Sequence, residues 1–546
     1  MEAELSSQPN VILIMADDMG FSDIGCYGSE IETPNLDRLG ANGVRFSQFY
    51  NYARCCPTRA SLQTGLYPHR AGIGHMVGDY NLPGYRGFLN RNCVTIAEAL
   101  KPAGYKTLMV GKWHIGGSFR FSELESARAG EECYPRPLDR GYDRFWGTLS
   151  GGGSYFSTHA LYDDNEAIEP EGDDFYYTDK ISDAASGFID EYGPDNKPFF
   201  MHVCYTAPHW PLHALEEDID KYRNKYICGW DQLRENRYEE LIGSKLLDSR
   251  WALSPRDADS RPWGSVTKQD WEDARMAVYA AQIDRMDQGI GRIMASLRKH
   301  NIERDTLVMF LSDNGGCAEL LGEDGVKAFH AAETKNGEPI RYGNIPDLTP
   351  GTDTTFMSYD LPWANASDTP FRYFKHYVHE GGISTPFIAH WPGKIAPGRI
   401  EHSPAAVIDF LPTIIDAAGT TYPTTYNGND IHSVDGESFL PALTGNNWHR
   451  NDPIYWEHEG NCAVRLDNWK LVSKWPGDWE LYDLSVDRTE LNNLAEQSPD
   501  RVNQLSGLHS DWANRSNVEP WDKILASPGA APFKIWLQDN DPLYPK

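Results

Sequence analysis

Four stretches of the chain read as near-continuous apolar runs: "NVILIMA" (10–16), "KTLMVGK" (106–112), "PFFMHVCY" (198–205) and "TLVMFLSD" (306–313). Runs of this length without polar alternation are what strands buried on both faces require, and they predict a parallel sheet. Between them the period changes. In the segment 271–299, Met276, Tyr279, Ile283, Met286, Ile290, Ile293 and Leu297 recur at spacings of three and four, which predicts an amphipathic helix leading into the strand at Thr306. Strands alternating with helices of this kind build a doubly wound α/β sheet. Ligands in such sheets gather at the carboxyl ends of the strands. Three of these strands end in polar pairs: Asp17 and Asp18, Lys112 and His114, Asp313 and Asn314.

Periodicity weakens over 208–262 and 329–363, where Gly, Pro, Asp, Trp and Tyr dominate, and both segments are expected to be long loops over the sheet. "DFLPTIIDAAG" (409–419) is helical in pattern. The tail is different: "NCAVRLD" and "WKLVSKW" alternate, so a small antiparallel sheet is expected from about Trp448, with a helix near 499–512. The expected fold class is α/β, a large mixed, mostly parallel sheet sandwiched by helices, with a small C-terminal antiparallel-sheet subdomain. The expected division is a catalytic domain over 1–447 and the subdomain over 448–546.

Composition narrows the chemistry. A chain of 546 residues with formal net charge −29 lacks the basic footprint that nucleic acid needs, so no nucleic-acid partner is expected. Its 17 Trp and 28 Tyr on an acidic background suit sugars better. No apolar run approaches the roughly 20 residues that span a bilayer, so no membrane partner is expected either. The opening "MEAELSSQPN" has no secretion-signal pattern, which fits an intracellular chain or a processed one equally. Nine cysteines, odd in number and without a CxxC pair, resemble neither a disulfide framework nor a zinc site. Cys26, Cys93, Cys133, Cys204, Cys228, Cys317 and Cys462 are expected to be buried small hydrophobes.

Two adjacent carboxylates directly after a buried strand, in "MADDMG", face one point only if something there demands it, and a hard cation does. "LSDNGG" repeats the pattern with Asp313 and Asn314. Three carboxylates and an amide are all oxygen donors, which favours Ca²⁺, or Mg²⁺, over zinc. "VGKWHIG" adds Lys112 and His114 two residues apart, "YTAPHWPLH" adds His209, and "FRYFKHYVHEGG" adds Lys375. Helix capping by Asp and Asn, or ordinary surface positions for a Lys and a His, explains each motif singly. It does not explain all of them together.

With "RCCPTRASLQTG" (54–65) the chain resembles the type I, formylglycine-dependent sulfatases of the alkaline phosphatase superfamily. The mark is Cys-X-Pro-X-Arg followed by Thr-Gly, here Cys55, Pro57, Arg59, Thr64 and Gly65. The order "ADD", "GKWH", "APHWP", "SDNGG", "EGG" and "WELYDL" matches as well, so the resemblance covers most of the chain. "HRAGIGHM" and "NASDTPFRYFKHYVHEGGISTPFIA" resemble the bacterial arylsulfatase branch. The resemblance implies that a maturation enzyme oxidises Cys55 to formylglycine and that Asp17, Asp18, Asp313 and Asn314 bind the metal, usually calcium. It implies Arg59 at the hydrated aldehyde, Lys112 and Lys375 on sulfate oxygens, His114 on formylglycine and His209 at the leaving-group oxygen.

Those roles are chemically coherent. One hydroxyl of a hydrated aldehyde can attack sulfur to give a covalent sulfo-enzyme, and the other, deprotonated by His114, collapses to the aldehyde and expels sulfate. Thr58 stands where the family most often has serine, and His379 where many relatives have tyrosine. Two other readings stay open at this level. One is a phosphonate or phosphate monoester hydrolase of the same superfamily, against which Asn314 speaks because those relatives tend to carry histidine there. The other is an inactive, glycan-binding homologue. The expected substrate is a sulfated carbohydrate, with aryl sulfates as artificial ones; Trp210, His213, Tyr155, His75, Trp363, His458 and Glu459 are candidates for the mouth. A periplasmic or secreted location is expected, with a cytoplasmic one left open.

Overall fold

The computed structural model describes residues 8–534 apart from 119–122, 124–126, 173, 196, 324–326, 328–329 and 532. The opening residues 1–7, Phe329 at the head of the second expected loop, and residues 535–546 of the tail lie outside the described residues.

Asn10–Asp17 is buried from Val11 onward and pairs in parallel on both sides, with Phe199–Pro208 and with Thr306–Ser312. Lys106–Gly111 continues the parallel set beyond Phe199–Pro208. Among the described residues the sheet has 11 strands. From one edge the order is Arg399–Glu401, Val44–Tyr50, Ser384–His390, Thr306–Ser312, Asn10–Asp17, Phe199–Pro208, Lys106–Gly111, Arg144–Thr148, Leu161–Asp163 and Glu166–Ala167, with Ala405–Ala406 also on Val44–Tyr50. Ser384–His390 runs antiparallel to both its neighbours, which makes the sheet mixed.

The continuous apolar runs are explained by two cores. Val11, Leu13 and Met15 point into the one that also holds the helix Cys55–Thr64 and the C-terminal sheet, whereas Ile12, Ile14 and Ala16 point into the one that holds the helix Gln269–Lys299. Register then places the chemistry. Ala16 lies opposite Ser312, Asp17 opposite Pro208, and Gly111 opposite Cys204. The carboxyl ends of four adjacent parallel strands are therefore level, and the residues that follow them are delivered to one rim.

The tail forms the expected antiparallel sheet, Ile454–His458, Asn461–Leu466, Trp469–Ser473 and Glu480–Asp483, followed by the helix Pro499–Arg515. It is fastened to the main body by charge. Lys470 Nζ sits between Glu380 Oε1 at 3.0 Å and Glu490 Oε1 at 2.8 Å, and Arg488 Nε donates to Glu380 Oε2 at 3.0 Å. All four side chains are fully buried. Tyr50 of the main sheet donates its hydroxyl to Glu380 as well. Among the described residues no helix is long and apolar enough to cross a membrane.

Two expectations need correcting. The segment 208–262 is not all loop, since it contains the helix Gly229–Gly243. Its buried face includes Arg234 and Arg237, the latter paired with Asp23 and Glu30, so a buried surface read as polar. The cysteines also divide: Cys93, Cys204 and Cys317 are buried, Cys26 and Cys462 are half-buried, and Cys133 and Cys228 are exposed. Cys133 lies in a polar loop and Cys228 immediately before that same helix, where no core reaches them.

Candidate active site

The nucleophile candidate sits where a strand gives way to a helix. Arg54 is extended (φ −152°, ψ 152°), and helix Cys55–Thr64 begins at the next residue, with every one of its side chains buried and Gly65 closing it in the left-handed region. Thr58 Oγ1 accepts the Tyr52 amide at 2.9 Å, so the hydroxyl at this position fixes the approach to the helix. Cys55 and Arg59, four residues apart, share a helix face. Arg59 donates from Nε and Nη2 to Asp313 Oδ2 at 3.0 and 2.8 Å, and from Nη1 to the Lys112 carbonyl at 3.0 Å.

The two cysteines are not equivalent. Cys55 Sγ, Cys56 Sγ and a His114 ring nitrogen lie within 4.8 Å of one another. A hydrogen bond from Cys56, and then Lys112 and His114, hold the Cys55 thiol well below its ordinary pKa, while burial pushes Cys56 well above it.

Across the rim, Asp18 turns in the left-handed region (φ 64°), and that turn aims both carboxylates inward. Its amide bonds Asp313 Oδ1 at 3.3 Å and its carbonyl accepts the Tyr279 hydroxyl at 3.1 Å. Asp18 Oδ1 accepts the Asn314 amide at 2.7 Å and lies 2.8 Å from Lys375 Nζ, while Oδ2 lies 3.5 Å from His209 Nε2. Lys112 Nζ is paired with Asp17 Oδ2. All ten residues singled out from the sequence thus stand around one point: Asp17, Asp18, Cys55, Arg59, Lys112, His114, His209, Asp313, Asn314 and Lys375.

Charge in this centre is unevenly settled. Burial raises the Asp17 carboxyl, and it raises Asp313 further because Asp17 faces it. Burial also pushes on Asp18, but His209 and Lys375 hold it below the carboxylate range. Burial lowers His114 to about 4, which leaves its imidazole neutral, and it lowers His209 against the opposing pull of Asp18. Among the described residues, Asp17 Oδ1 and Asn314 Oδ1 are buried without a hydrogen-bond partner. Two idle oxygens, two carboxyls that resist ionisation and a donor set made only of oxygen fit a hard divalent cation, and no soft or nitrogen donor is needed to hold it.

Several neighbours went unrecognised in the sequence. Gly151 packs against His114 so closely that a Cβ there would meet the ring at 2.5 Å, and at Gly152 it would meet the His209 ring at 2.9 Å. The run "GGG" (151–153) was the available signal. Tyr155, expected at the mouth, is instead buried and donates its hydroxyl to the Thr206 and His209 carbonyls, both at 2.8 Å, which holds the histidine loop. Glu319 accepts from Arg54 at 2.9 Å and from the Trp210 indole at 2.7 Å.

The expected mouth is thinner than its candidate residues promised. Trp210 is half-buried beside His209. His213 is buried and bonded to the Thr355 carbonyl. Trp363 is packed among Tyr226, Trp230 and Trp263 and belongs to the core. His75, His458 and Glu459 do come together, but as a buried cluster.

Comparison with known proteins agrees with this geometry. The family model described as Sulfatase matches residues 9–420, and one described as N-sulphoglucosamine sulphohydrolase, C-terminal, matches residues 370–511. An uncharacterised sulfatase of Schizosaccharomyces pombe is 33% identical over 92% of this chain and 92% of its own. An arylsulfatase of Klebsiella aerogenes is 33% identical over 76% of this chain and 88% of its own. Among solved structures, Ps i-CgsB aligns with a TM-score of 0.67 at 23% identity over 97% of each chain. The PsFucS1 sulfatase from Pseudoalteromonas sp. aligns at 0.59 and 18% identity over 96% of this chain and 91% of that one. The large mixed sheet with its small antiparallel companion is the alkaline phosphatase-like fold of these proteins. The chain belongs to the sulfatase family, hydrolases of sulfuric esters.

Proposed function

We propose that the protein releases inorganic sulfate from a sulfated carbohydrate, using Cys55 after its oxidation to formylglycine and a calcium ion held by Asp17, Asp18, Asp313 and Asn314. Magnesium, which demands a tighter octahedron, is the alternative ion for the same oxygens. The observation that carries this reading is the gathering of Asp17, Asp18, Asp313 and Asn314 at the strand ends, two of them with idle oxygens, where Arg59 of the buried helix headed by Cys55 bonds Asp313. A bound cation there supplies positive charge that lowers the pKa of a nucleophilic hydroxyl.

The chain's own residues supply the rest. Lys112 and Lys375 bring two cations to the oxygens of a sulfate ester, and Arg59 bridges the nucleophile's helix to Asp313. In an otherwise acidic protein they concentrate positive charge where an anionic ester must dock. His114 is positioned beside Cys55 and kept neutral by burial, ready to accept a proton from it. His209, held by Tyr155 and by the bond of its Nδ1 with the Trp210 carbonyl at 2.6 Å, presents Nε2 toward the centre and donates a proton to the leaving alcohol.

The carbohydrate preference is supported by structural relatives. Ps i-CgsB has been solved with k-i-k-neocarrahexaose, and BT4656, aligned at a TM-score of 0.60, with D-glucosamine-2-N,6-O-disulfate. Small aryl sulfates serve as artificial substrates in this reading. The maturation enzyme that oxidises Cys55 is the protein partner, and the periplasm or the exterior of the cell is where the substrate is met. The test is release of sulfate from a panel of sulfated mono- and oligosaccharides beside nitrophenyl sulfate, with mass spectrometry across Cys55. Turnover of one saccharide well above the aryl ester, by a chain carrying formylglycine, is expected. Turnover of aryl sulfates alone overturns the carbohydrate preference, and an unmodified, active Cys55 overturns the mechanism.

A further inference from the structure

One cluster of ligating side chains outside the catalytic rim has no task in the chemistry above. His75 lies in the loop after Pro68–Ala71, the short helix that follows the nucleophile's; His458 and Glu459 stand at the turn between the first two strands of the C-terminal sheet. They bring two imidazole nitrogens and a carboxylate oxygen within 4.8 Å of one another. His75 Nε2 meets Glu459 Oε1 at 2.7 Å, and His458 Nε2 is 3.4 Å from the same oxygen. The two rings are nearly parallel, with an interplanar angle of 19° and centroids 5.4 Å apart. His458 is 0% exposed, yet among the described residues neither of its ring nitrogens has a hydrogen-bond partner. A buried polar group left in that state is costly unless something binds to it.

Supporting contacts surround the three. The Tyr80 hydroxyl lies 2.7 Å from His75 Nδ1, and His376 Nδ1 lies 2.5 Å from the other carboxylate oxygen of Glu459. Each fixes the orientation of a donor while leaving its inner atom facing the cluster, the arrangement that metal-binding histidines and carboxylates require.

We propose that His75, His458 and Glu459 form a second metal site for a divalent transition metal of the zinc class, bound through His75 Nε2, His458 Nε2 and Glu459 Oε1, with water completing a tetrahedron. Two imidazoles and one carboxylate select zinc over calcium, the reverse of the all-oxygen set at the catalytic rim. Binding shifts the His75 proton from Nε2 to Nδ1, where the Tyr80 oxygen accepts it, so no proton is lost. The ion joins the loop that follows the nucleophile's helix to the C-terminal sheet. Through His376, next to Lys375, it also braces the segment that carries a sulfate-binding lysine.

The test is zinc binding by the full chain with Cys55→Ala and saturating calcium, so that neither the thiol pair nor the carboxylate centre competes. About one zinc per chain is expected after dialysis. His458→Asn should lose it with calcium content unchanged, and Tyr80→Phe should weaken zinc affinity about 10- to 100-fold in competition with a chromogenic chelator. Zinc content far below one equivalent, or equal zinc binding by His458→Asn, overturns the site. If His458→Asn does not fold, zinc affinity unchanged in both Tyr80→Phe and Glu459→Gln overturns it.

Discussion

Replacing Glu380 with glutamine removes the one anion that both Lys470 and Arg488 share in a fully buried cluster. Burial pushes the Glu380 carboxyl up, but Lys470, Arg488 and Arg465 together hold it at about 2, against 4.5 for a free glutamate. A carboxyl displaced by that amount contributes roughly 3 kcal/mol to folding at neutral pH, and stripping one partner from a buried ion cluster costs about 3–5 kcal/mol by a separate route. At about 2.1 cal/mol/K per residue, 546 residues melt with an entropy of roughly 1.1 kcal/mol/K, so Glu380→Gln should lower Tm by about 3 °C at pH 7. The folded pKa is depressed, so the contribution is complete above 4.5 and is lost as pH falls from 4.5 toward 2. The gap between the two proteins should therefore narrow to about 1 °C at pH 3. Thermal melts at pH 7, 4.5 and 3, followed by circular dichroism, read both quantities. A gap that stays constant from pH 7 to 3, or one below about 1 °C at pH 7, refutes the assignment of stability to this carboxylate.

Cys55→Ala should abolish sulfate release with an unchanged circular dichroism spectrum, whereas Cys56→Ala should retain it; equal losses would show that the two thiols act together. Gly151→Ala should lower kcat about 100-fold by displacing the His114 ring, while Gly153→Ala, which meets nothing within 4 Å, should leave it unchanged. His209→Ala should cost about 10²- to 10⁴-fold on an alkyl sulfate and far less on nitrophenyl sulfate, whose leaving group needs no proton; matching losses on both would remove His209 from that role.

How much of this was legible in the sequence follows from what each residue is asked to do. Val11 to Met15 could be read because a strand buried on both faces admits only apolar side chains. Cys55, Pro57 and Arg59 could be read because a short motif carries its own register, and the helix that holds them begins at the expected cysteine. Asp17 and Asp313 emerged as paired strand ends, which the level register of the sheet then brings together. Helix Gly229–Gly243 stayed hidden because Arg234 and Arg237 fill positions where an apolar residue would have marked the period. Gly151 and Gly152 act by lacking a side chain, a contribution visible only once His114 and His209 are seen against them. Trp363 misled because an indole in a polar stretch reads as a sugar platform, while here it fills a tryptophan-lined core.

On the mechanism proposed above, the burial of the helix that Cys55 heads sets an order of events in the life of the chain. Cys55 is 1% exposed and its helix has no exposed residue, so another protein cannot reach the thiol once the chain has folded. On that mechanism the maturation enzyme must meet this stretch before its helix is buried and before Arg59 is locked to Asp313. Its time for doing so closes when the strands on either side pair. Folding and activation therefore compete for one segment, and a chain that folds first is left with an intact scaffold around a thiol that can no longer be matured.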